Sequence, residues 1–307
     1  MFALSLALAS AVSAAPPKGP TADDYVGRWN VKITNAEVTF VGGGFSIEKA
    51  PTGLLGGVVW RWGSYGPAKV AVANGTLTLT RDAGGGKTDV FEARLEGSTL
   101  VGQAKYPDGK THAFEGRRAP VLDTKQVPSW GEPVTLFDGR TLDGWSLRDP
   151  NAKMGWAVVD GDLAVVAPKG NADLVTSRSF GDMKLHIEFD VEPGSNSGVY
   201  LRGRYEIQIL DDKKLGTESH GCGALYSRVA PKVDATKAAG EWQAFDITLV
   251  GRQLTVVLNG MTIIDNVLVD GITGGAINPY EEEPGPLMLQ GDHGKVRFRN
   301  IVVTPAR

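Results

Sequence analysis

Residues 195–212, SNSGVYLRGRYEIQILDD, combine ionisable side chains with a strict alternation of polar and apolar residues. Side chains alternate between two faces along a β-strand, so the pattern predicts one strand with an apolar and a polar face. The polar face carries Arg202, Arg204, Glu206 and Gln208. A face that only had to be soluble would not need so many titratable groups, and we therefore take it as the candidate site.

The preceding segment 184–191, KLHIEFDV, shows the same alternation. Its polar face carries His186, Glu188 and Asp190. The turn-forming residues EPGSNSG separate the two segments, which predicts antiparallel neighbours in one sheet. Their polar faces would then form one patch of carboxylates, arginines and a histidine.

Crowded carboxylates of this kind suit general acid–base chemistry. Residues i and i+2 of a strand lie roughly 7 Å apart, and like charges at that range raise the pKa of at least one group unless a cation neutralises them. Glu206 is the first candidate for the base, with an ordinary ion pair to Arg204 as the alternative. Glu188 and Asp190 could share that role, or could bind a divalent metal together with His293. The pattern does not identify the metal, and no other cofactor is predicted.

Other polar residues of the two segments are candidates for binding a substrate. The planar guanidinium of Arg202 can hold a hydroxyl or an enolate oxygen through several hydrogen bonds. Its alternative is a cross-strand ion pair with Glu188 or Asp190. Gln208 and Asp190 are expected to add hydrogen bonds to the same ligand.

Two loops contribute further candidates. His293 lies in the glycine-flanked loop GDHG between two predicted strands, where its side chain can project into a cleft as a catalytic group. Asp292 beside it is a predicted binding residue. Tyr280, in the loop 274–286, is predicted to stack on a sugar ring, while the acidic run 281–283 next to it is typical of a solvated loop.

Composition narrows the class of protein. A chain of 307 residues suggests two domains, and its 40 glycines favour strands and tight turns. The net charge of −3, without a basic cluster, excludes nucleic acid as the expected partner. The single cysteine, Cys222, excludes an intramolecular disulfide. A metal pair of His220 and Cys222 is a weak alternative to an inert or partly buried thiol.

The N-terminal residues 1–20 are predicted to be a signal peptide, since a short apolar run ends in the small-x-small sequence Val12-Ser13-Ala14. The run is too short to span a bilayer, and no other segment is apolar enough to do so. No cysteine follows it, so a lipoprotein anchor is not supported. We therefore expect a periplasmic or secreted protein.

Strand-like runs recur along the rest of the chain. Residues 21–119 contain short runs separated by glycine, asparagine and aspartate turns, which predict a small antiparallel β-barrel or sandwich with an accessory or structural role. Residues 120–133 hold three prolines and are predicted to be a linker. Residues 134–307 again read as strands without a long amphipathic helix, which predicts an all-β jelly-roll sandwich of two sheets.

Several ordered blocks in the C-terminal region resemble a known family. The blocks are LFDGRTLDGW (136–145), SNSGVYLRGRYEIQILD (195–211), GALY (223–226), GEWQAFDI (240–247), LNG (258–260) and GPLMLQGDHGKVRFRNI (285–301). Together they resemble the 3-keto-disaccharide hydrolase family. The resemblance implies a concanavalin A-like jelly roll and the cleavage of 3-keto-glycosides by hydrolysis or elimination. This chain departs from the family pattern in Gly291, which stands between Gln290 and Asp292.

Three functions are consistent with these observations. The first is an exported enzyme that cleaves 3-keto-glycosides, because a ketone at C3 acidifies the C2 proton and the resulting enolate can expel the substituent at C1. Such a site needs a base together with a cationic or donating partner, such as Arg202 or His293, for the enolate oxygen. The second is a conventional glycosidase that uses Glu188 and Glu206 as its two carboxylates. The third is a non-catalytic carbohydrate-binding or cell-envelope domain. The sequence predicts no oligomeric state.

Overall fold

The computed structural model describes residues 19–34, 40–122, 128–211 and 217–307. Residues 1–18 of the predicted signal peptide and 123–127 of the predicted linker lie outside these ranges. Apart from one short helix, α1 (Ala22–Tyr25), the regular elements of the described residues are β-strands. The predicted all-β class is confirmed. Within the described ranges, no helix is long and apolar enough to cross a membrane.

The N-terminal strands form a closed antiparallel barrel in which each strand pairs with the next and the last pairs with the first. The strands are β1 (Gly27–Ile33), β2 (Gly42–Ala50), β3 (Gly53–Trp60), β4 (Gly66–Ala73), β5 (Thr76–Gly84), β6 (Lys87–Glu96), β7 (Thr99–Lys105) and β8 (Thr111–Arg118). Of the two architectures expected for this region, the barrel is the one that forms.

The barrel interior is filled by side chains. Phe45, Trp60, Phe91 and Phe114 pack with ring centroids 4.9 to 6.1 Å apart. Trp29 of β1 is buried in the same core. Small barrels gain their stability from such packing of inward-facing residues.

The C-terminal strands form two packed sheets. The first, here called the site sheet, has the strand order β10 (Trp145–Leu147), β13 (Leu174–Phe180), β20 (Gly285–Leu289), β15 (Asn196–Leu201), β16 (Tyr205–Leu210). The second, the back sheet, has the order β11 (Trp156–Val159), β12 (Asp162–Val165), β21 (Val296–Pro305), β14 (Met183–Val191), β17 (Gln243–Val250), β18 (Gln253–Leu258), β19 (Met261–Leu268). Strand β9 (Val134–Thr135) pairs with β21.

A continuous apolar core lies between these sheets. Val199 and Ile207 of the site sheet are fully buried in it, and Phe189 and Phe245 of the back sheet stack with ring centroids 4.8 Å apart. The apolar residues of the alternating pattern therefore face the core, as the sequence predicts. The jelly-roll sandwich is confirmed.

The prediction that residues 195–212 form one strand is wrong. They form the hairpin β15–β16, with Leu201 paired to Tyr205 and Tyr200 paired to Glu206. Arg202 lies in the turn at a positive φ of 53°. Because the turn has three residues, the two residues of each cross-strand pair are both odd-numbered or both even-numbered. The alternation of polar and apolar residues therefore continues through the turn and resembles that of a single strand.

The prediction that 184–191 lies beside this hairpin is also wrong. Strand β14 contains this segment and pairs with β17 and β21 in the back sheet. The residues EPGSNSG carry the chain from one sheet to the other instead of closing a hairpin. A common polar patch of the two segments therefore does not exist.

Candidate functional site

A cavity of about 390 Å³ opens over the outer face of the site sheet. Glu206 and Gln208 of β16 lie in it with Asn196 and Tyr200 of β15. The remaining lining residues come from loops of the sandwich and from the barrel: Phe40, Trp62, Asp173, Tyr226, Gly275, Gln290, Asp292 and His293. Four of the predicted site residues, Glu206, Gln208, Asp292 and His293, thus meet in one place.

The floor of this cavity is formed by Asn196 and Tyr200 of β15 and by Glu206 and Gln208 of β16, and Glu206 is only 3% exposed. Tyr200 lies opposite it across the hairpin, and Gly198 lies opposite Gln208. A Cβ atom at Gly198 would lie 2.4 Å from Glu206 Oε1, which is closer than van der Waals contact allows. The glycine at 198 therefore leaves the space that the Glu206 side chain occupies.

The environment of Glu206 favours its protonated form. Burial raises the pKa of Glu206 to about 8, and the negative charge of Asp173 adds to this effect. The Tyr200 hydroxyl donates a hydrogen bond to the carboxylate and opposes the rise. A carboxyl group with a pKa near neutrality is a stronger base than an ordinary glutamate and is a frequent feature of catalytic sites.

Asp292 and His293 form a hydrogen-bonded pair at the rim. The imidazole Nδ1 donates to Asp292 Oδ1 at 2.5 Å. This bond raises the pKa of His293. Burial alone would raise the pKa of Asp292, but the bond from His293 and the positive charges of His293 and Arg148 together hold that pKa below its usual value. The positive charge of His293 in turn lowers the pKa of Glu206, so the groups are electrostatically coupled.

Asp173 is a site residue that the sequence did not reveal. Burial raises its pKa, against the attraction of Arg148, whose Nη1 lies 3.3 Å from Asp173 Oδ2. The amide of Gly291 also donates to Asp173 at 3.3 Å. A Cβ at Gly291 would lie 2.6 Å from the Ala172 carbonyl oxygen. The residue that departs from the family pattern is thus a close-packed link between Asp173 and the Asp292 loop.

Three carboxamides complete the floor. The side-chain oxygens of Asn196, Gln208 and Gln290 are buried and have no hydrogen-bond partner among the described residues. The amide nitrogen of Gln208 donates to the His220 carbonyl at 3.3 Å. Buried polar atoms normally have partners, so these oxygens are acceptors available to the hydroxyl groups of a ligand.

Glu188 and Asp190 do not belong to this cavity. They lie on the outer face of the back sheet, where Arg299 Nε donates to Glu188 at 2.7 Å and Arg297 forms an ion pair with Asp190. The Asn300 amide also donates to Glu188 at 2.7 Å. Their assignment to the candidate site is corrected, because the chain enters the other sheet after residue 191.

Arg202 and Tyr280 also lie away from the cavity. In the hairpin turn, Arg202 is buried and donates to Asp182 at 2.7 Å. The guanidinium of Arg117 in the barrel lies 4.3 Å from the centroid of the Tyr280 ring. Arg204 binds Asn278 at 2.8 Å and not Glu206. Arg202 and Arg204 of the turn thus make structural contacts with neighbouring loops.

Tyr200, Phe40 and Trp62 were missed by the sequence analysis for different reasons. Tyr200 and Glu206 both have even numbers, so the alternating pattern places them on the same face. Tyr200 could therefore have been predicted from the sequence. Phe40 and Trp62 are contributed by the barrel, and no local pattern relates them to the hairpin. Cys222 is buried and does not line the cavity. Among the described residues, no group of three or more His, Cys, Asp or Glu side chains is arranged to hold a metal ion.

Comparison with known proteins finds sequences and structures that are similar to part of this chain. A 3-keto-disaccharide hydrolase from Bacteroides thetaiotaomicron is 25% identical over an alignment of 160 residues, and the match covers 41% of this chain and 55% of that protein. The match thus spans about half the length of this relative.

Two crystal structures from Parabacteroides distasonis, both assigned to the glycosyl hydrolases, are also similar. They are 26% and 27% identical, with TM-scores of 0.49 and 0.45. The matches cover 60% and 56% of this chain and 93% and 98% of those chains.

The profile of the 3-keto-alpha-glucoside-1,2-lyase-like domain matches residues 132–304, which is more than half of the chain. The strands of the barrel lie outside the matched range. The resemblance seen in the sequence blocks is confirmed, and the chain belongs to the 3-keto-alpha-glucoside-1,2-lyase-like domain family.

Proposed function

We propose that this protein cleaves 3-keto-glycosides, with Glu206 as the general base that removes the proton at C2. The observation that carries the proposal is the enclosed Glu206 carboxyl, whose pKa is raised to about 8 at the floor of a polar cavity. Membership of the family supports a 3-keto-glycoside as the substrate. So does the name of the Bacteroides relative, a 3-keto-disaccharide hydrolase.

The chemistry follows from the ketone. Glu206 takes the C2 proton, and the electrons of the C2–H bond form an enolate whose charge lies on the oxygen at C3. Collapse of the enolate restores the ketone, forms a double bond between C1 and C2, and breaks the bond from C1 to the leaving oxygen. The proton taken by Glu206 can then pass to that oxygen, so the site returns to its starting charge. Later addition of water across the double bond makes the net reaction a hydrolysis.

His293 is the proposed partner for the enolate oxygen. Its pKa is raised by the hydrogen bond to Asp292, so a positive charge is favoured at the cavity rim. A positioned cation or hydrogen-bond donor stabilises charge that develops during the reaction. The carboxamides of Asn196, Gln208 and Gln290 would accept hydrogen bonds from the sugar hydroxyls.

The competing functions are less well supported. The two carboxylates expected for a conventional glycosidase, Glu188 and Glu206, lie in different sheets, and Glu188 is held by Arg299. A binding domain has no need of a buried carboxyl group with a pKa matched to proton transfer.

Activity on a ketone substrate tests the proposal. The purified protein would be incubated with a 3-keto-disaccharide and with the parent disaccharide, each with and without a chelator. We expect cleavage of the keto sugar alone, and a loss of activity of at least about 100-fold in Glu206→Gln, consistent with the loss of a general base. Glu188→Gln serves as the matched control and should stay close to wild type. Cleavage of the parent sugar, or full activity of Glu206→Gln, would contradict the proposal. Activity that a chelator abolishes and a divalent cation restores would add a metal to the mechanism.

Export is proposed on the N-terminal apolar run alone. If the run is a signal peptide, the mature protein recovered from the periplasm or medium should begin after Ala14. Sequencing the N-terminus of the recovered protein tests this, and a cell-associated protein that retains residue 1 would refute it.

A further inference from the structure

The barrel is seated firmly on the sandwich. Arg28 of the barrel donates to both carboxylate oxygens of Glu281, at 2.6 and 2.9 Å, and the Glu281 side chain is fully buried. The Gly275 amide donates to the carbonyl of Arg61 at 2.7 Å. Both contacts come from Nη2 of Arg28, and such charge-assisted hydrogen bonds are stronger than hydrogen bonds between neutral groups. The barrel therefore has a defined orientation over the site sheet.

The barrel segment after β3 is fixed beside the cavity by two more contacts. The Tyr65 amide donates to Ser227 Oγ at 2.8 Å. Ser64 Oγ lies 3.0 Å from Nε2 of His220, the residue whose carbonyl accepts from Gln208. These bonds hold the turn that carries Trp62 next to the cavity floor.

Trp62 differs from the other tryptophans of the barrel. Trp29 and Trp60 are buried in the barrel core, whereas Trp62 is 58% exposed. The guanidinium of Arg61 lies 3.8 Å from its ring centroid, and the edge of Phe40 lies against it at 5.5 Å. A large aromatic ring held in place, lining a polar cavity and left uncovered is typical of a binding surface.

Phe40 also borders a second cavity. This cavity has a volume of about 390 Å³ and is lined by Phe40, Arg148, Asn151 and Asn171, among others. It shares Phe40, Asp173 and Asp292 with the Glu206 cavity, so the two adjoin. The Arg148 guanidinium lies 4.3 Å from the Phe40 ring centroid and fixes the ring at the junction.

We propose that Phe40 and Trp62 form an aromatic wall through which the barrel binds the sugar substrate. Trp62 packs against the ring that lies over Glu206, and Phe40 contacts a second ring in the adjoining cavity. The C–H faces of a sugar ring are apolar, so aromatic rings bind them by excluding water, while the carboxamide floor binds the hydroxyls. The barrel, which lies outside the family match, would thus select glycosides of two or more rings. This inference rests on the proposed function for its substrate.

Steady-state kinetics on two substrates tests the wall. The substrates are a 3-keto-disaccharide and the methyl 3-keto-glucoside, which lacks the second ring. Trp62→Ala should raise KM about tenfold for both, and Phe40→Ala should raise KM about tenfold for the disaccharide and far less for the methyl glycoside. Tenfold corresponds to about 1.4 kcal/mol of binding. Trp62→Phe and Phe40→Leu should restore part of the affinity. Leu55→Ala is the control, because Leu55 is 60% exposed on the barrel and lines neither cavity.

Calorimetric binding separates this inference from the proposed function. The same ligands are titrated into Glu206→Gln protein, alone and combined with each wall substitution, after melting curves confirm folding. If wild type cleaves neither substrate, the proposed function fails. The wall is still supported if the wall substitutions weaken disaccharide binding. The proposed aromatic wall is contradicted if Trp62→Ala and Phe40→Ala both leave KM and binding affinity unchanged. It is also contradicted if the protein does not bind the disaccharide at all.

Discussion

The neighbours of Glu206 change the pKa of its buried carboxyl group in opposite directions. The Tyr200 hydrogen bond lowers its pKa, and the negative charge of Asp173 raises it. Alternation in the sequence was enough to assign Glu206 and Gln208 to a polar face. It could not separate them from Glu188 and Asp190, because the same period of two occurs in both sheets.

The pH dependence of the reaction should report this tuning. If Glu206 must lose its proton, kcat/KM for the keto sugar rises with pH through about 8. Tyr200→Phe removes a contact that lowers the pKa, so its rising limb should move to higher pH. Asp173→Asn removes a charge that raises the pKa, so its limb should move to lower pH. If the pH profiles of the two variants shift in the same direction, or do not shift, Glu206 is not the base that titrates.

The raised pKa of Glu206 also predicts how the stability of the fold changes with pH. The pKa of Glu206 is about 8 in the folded protein and about 4.5 when exposed. The folded state therefore binds more protons between these values, and its stability falls as pH rises through that window. Glu206→Gln should raise Tm relative to wild type, and the gain should grow from pH 5 to pH 9, reaching a few kcal/mol in the free energy of unfolding.

Glu188→Gln provides the opposite case for those melting curves. Burial would raise the pKa of Glu188, but its bonds to Asn300 and Arg299 hold it below the usual value. The charged form therefore stabilises the fold above pH 4.5, and the substitution should lower Tm slightly at neutral pH. A gain in Tm for Glu188→Gln as large as that for Glu206→Gln would rule out burial of Glu206 as the cause.

At the scale of the element, the β15–β16 hairpin sets the geometry of the floor. Its strands place Tyr200 beside Glu206 and leave space at Gly198 for the carboxyl group. The sequence predicted the two faces of this element but not its turn. A three-residue turn does not interrupt the alternation of polar and apolar residues, so the pattern contains no sign of it. The path of EPGSNSG to the other sheet was equally hidden, since turn-forming residues suit a hairpin and a crossing alike.

Gly198→Ala tests the close approach at this element. The added methyl group would overlap Glu206 Oε1 and displace the carboxyl group. A displacement of about 1 Å at a reacting group can cost 100-fold in rate, so we expect a loss of that order in kcat with the fold retained. Gly181→Ala is the control, because a Cβ there meets nothing within 4 Å. Circular dichroism and kcat would be measured on both, and equal activities would contradict the packing argument.

At the scale of the whole molecule, the site is built from two units that are distant in sequence. The sandwich supplies the acid–base groups, and the barrel supplies Phe40 and Trp62. Composition and turn spacing predicted both units, because each follows a local pattern of strands. Their mutual orientation depends on pairs such as Arg28 with Glu281, which no local pattern encodes.

Removal of the Arg28–Glu281 ion pair should lower the stability of the protein and weaken the contact between barrel and sandwich. Arg28→Ala leaves a fully buried Glu281 without its arginine, and removal of one partner of a buried pair costs about 3–5 kcal/mol. We expect a lower Tm and a raised KM. Arg117→Ala is the matched control, since its ion pair with Glu282 also joins barrel and sandwich but is partly exposed and worth about 0–1 kcal/mol. Equal melting curves for the two variants would refute a buried clamp.

A kinetic isotope effect at C2 would show directly whether the protein removes the proton at that carbon. A 3-keto-disaccharide carrying deuterium at C2 of the oxidised ring would be compared with the unlabelled sugar under kcat/KM conditions. Removal of the C2 proton by Glu206 predicts slower cleavage of the labelled sugar by a primary isotope effect. Equal rates for the two sugars, with cleavage intact, would contradict proton abstraction at C2 as the step that Glu206 performs.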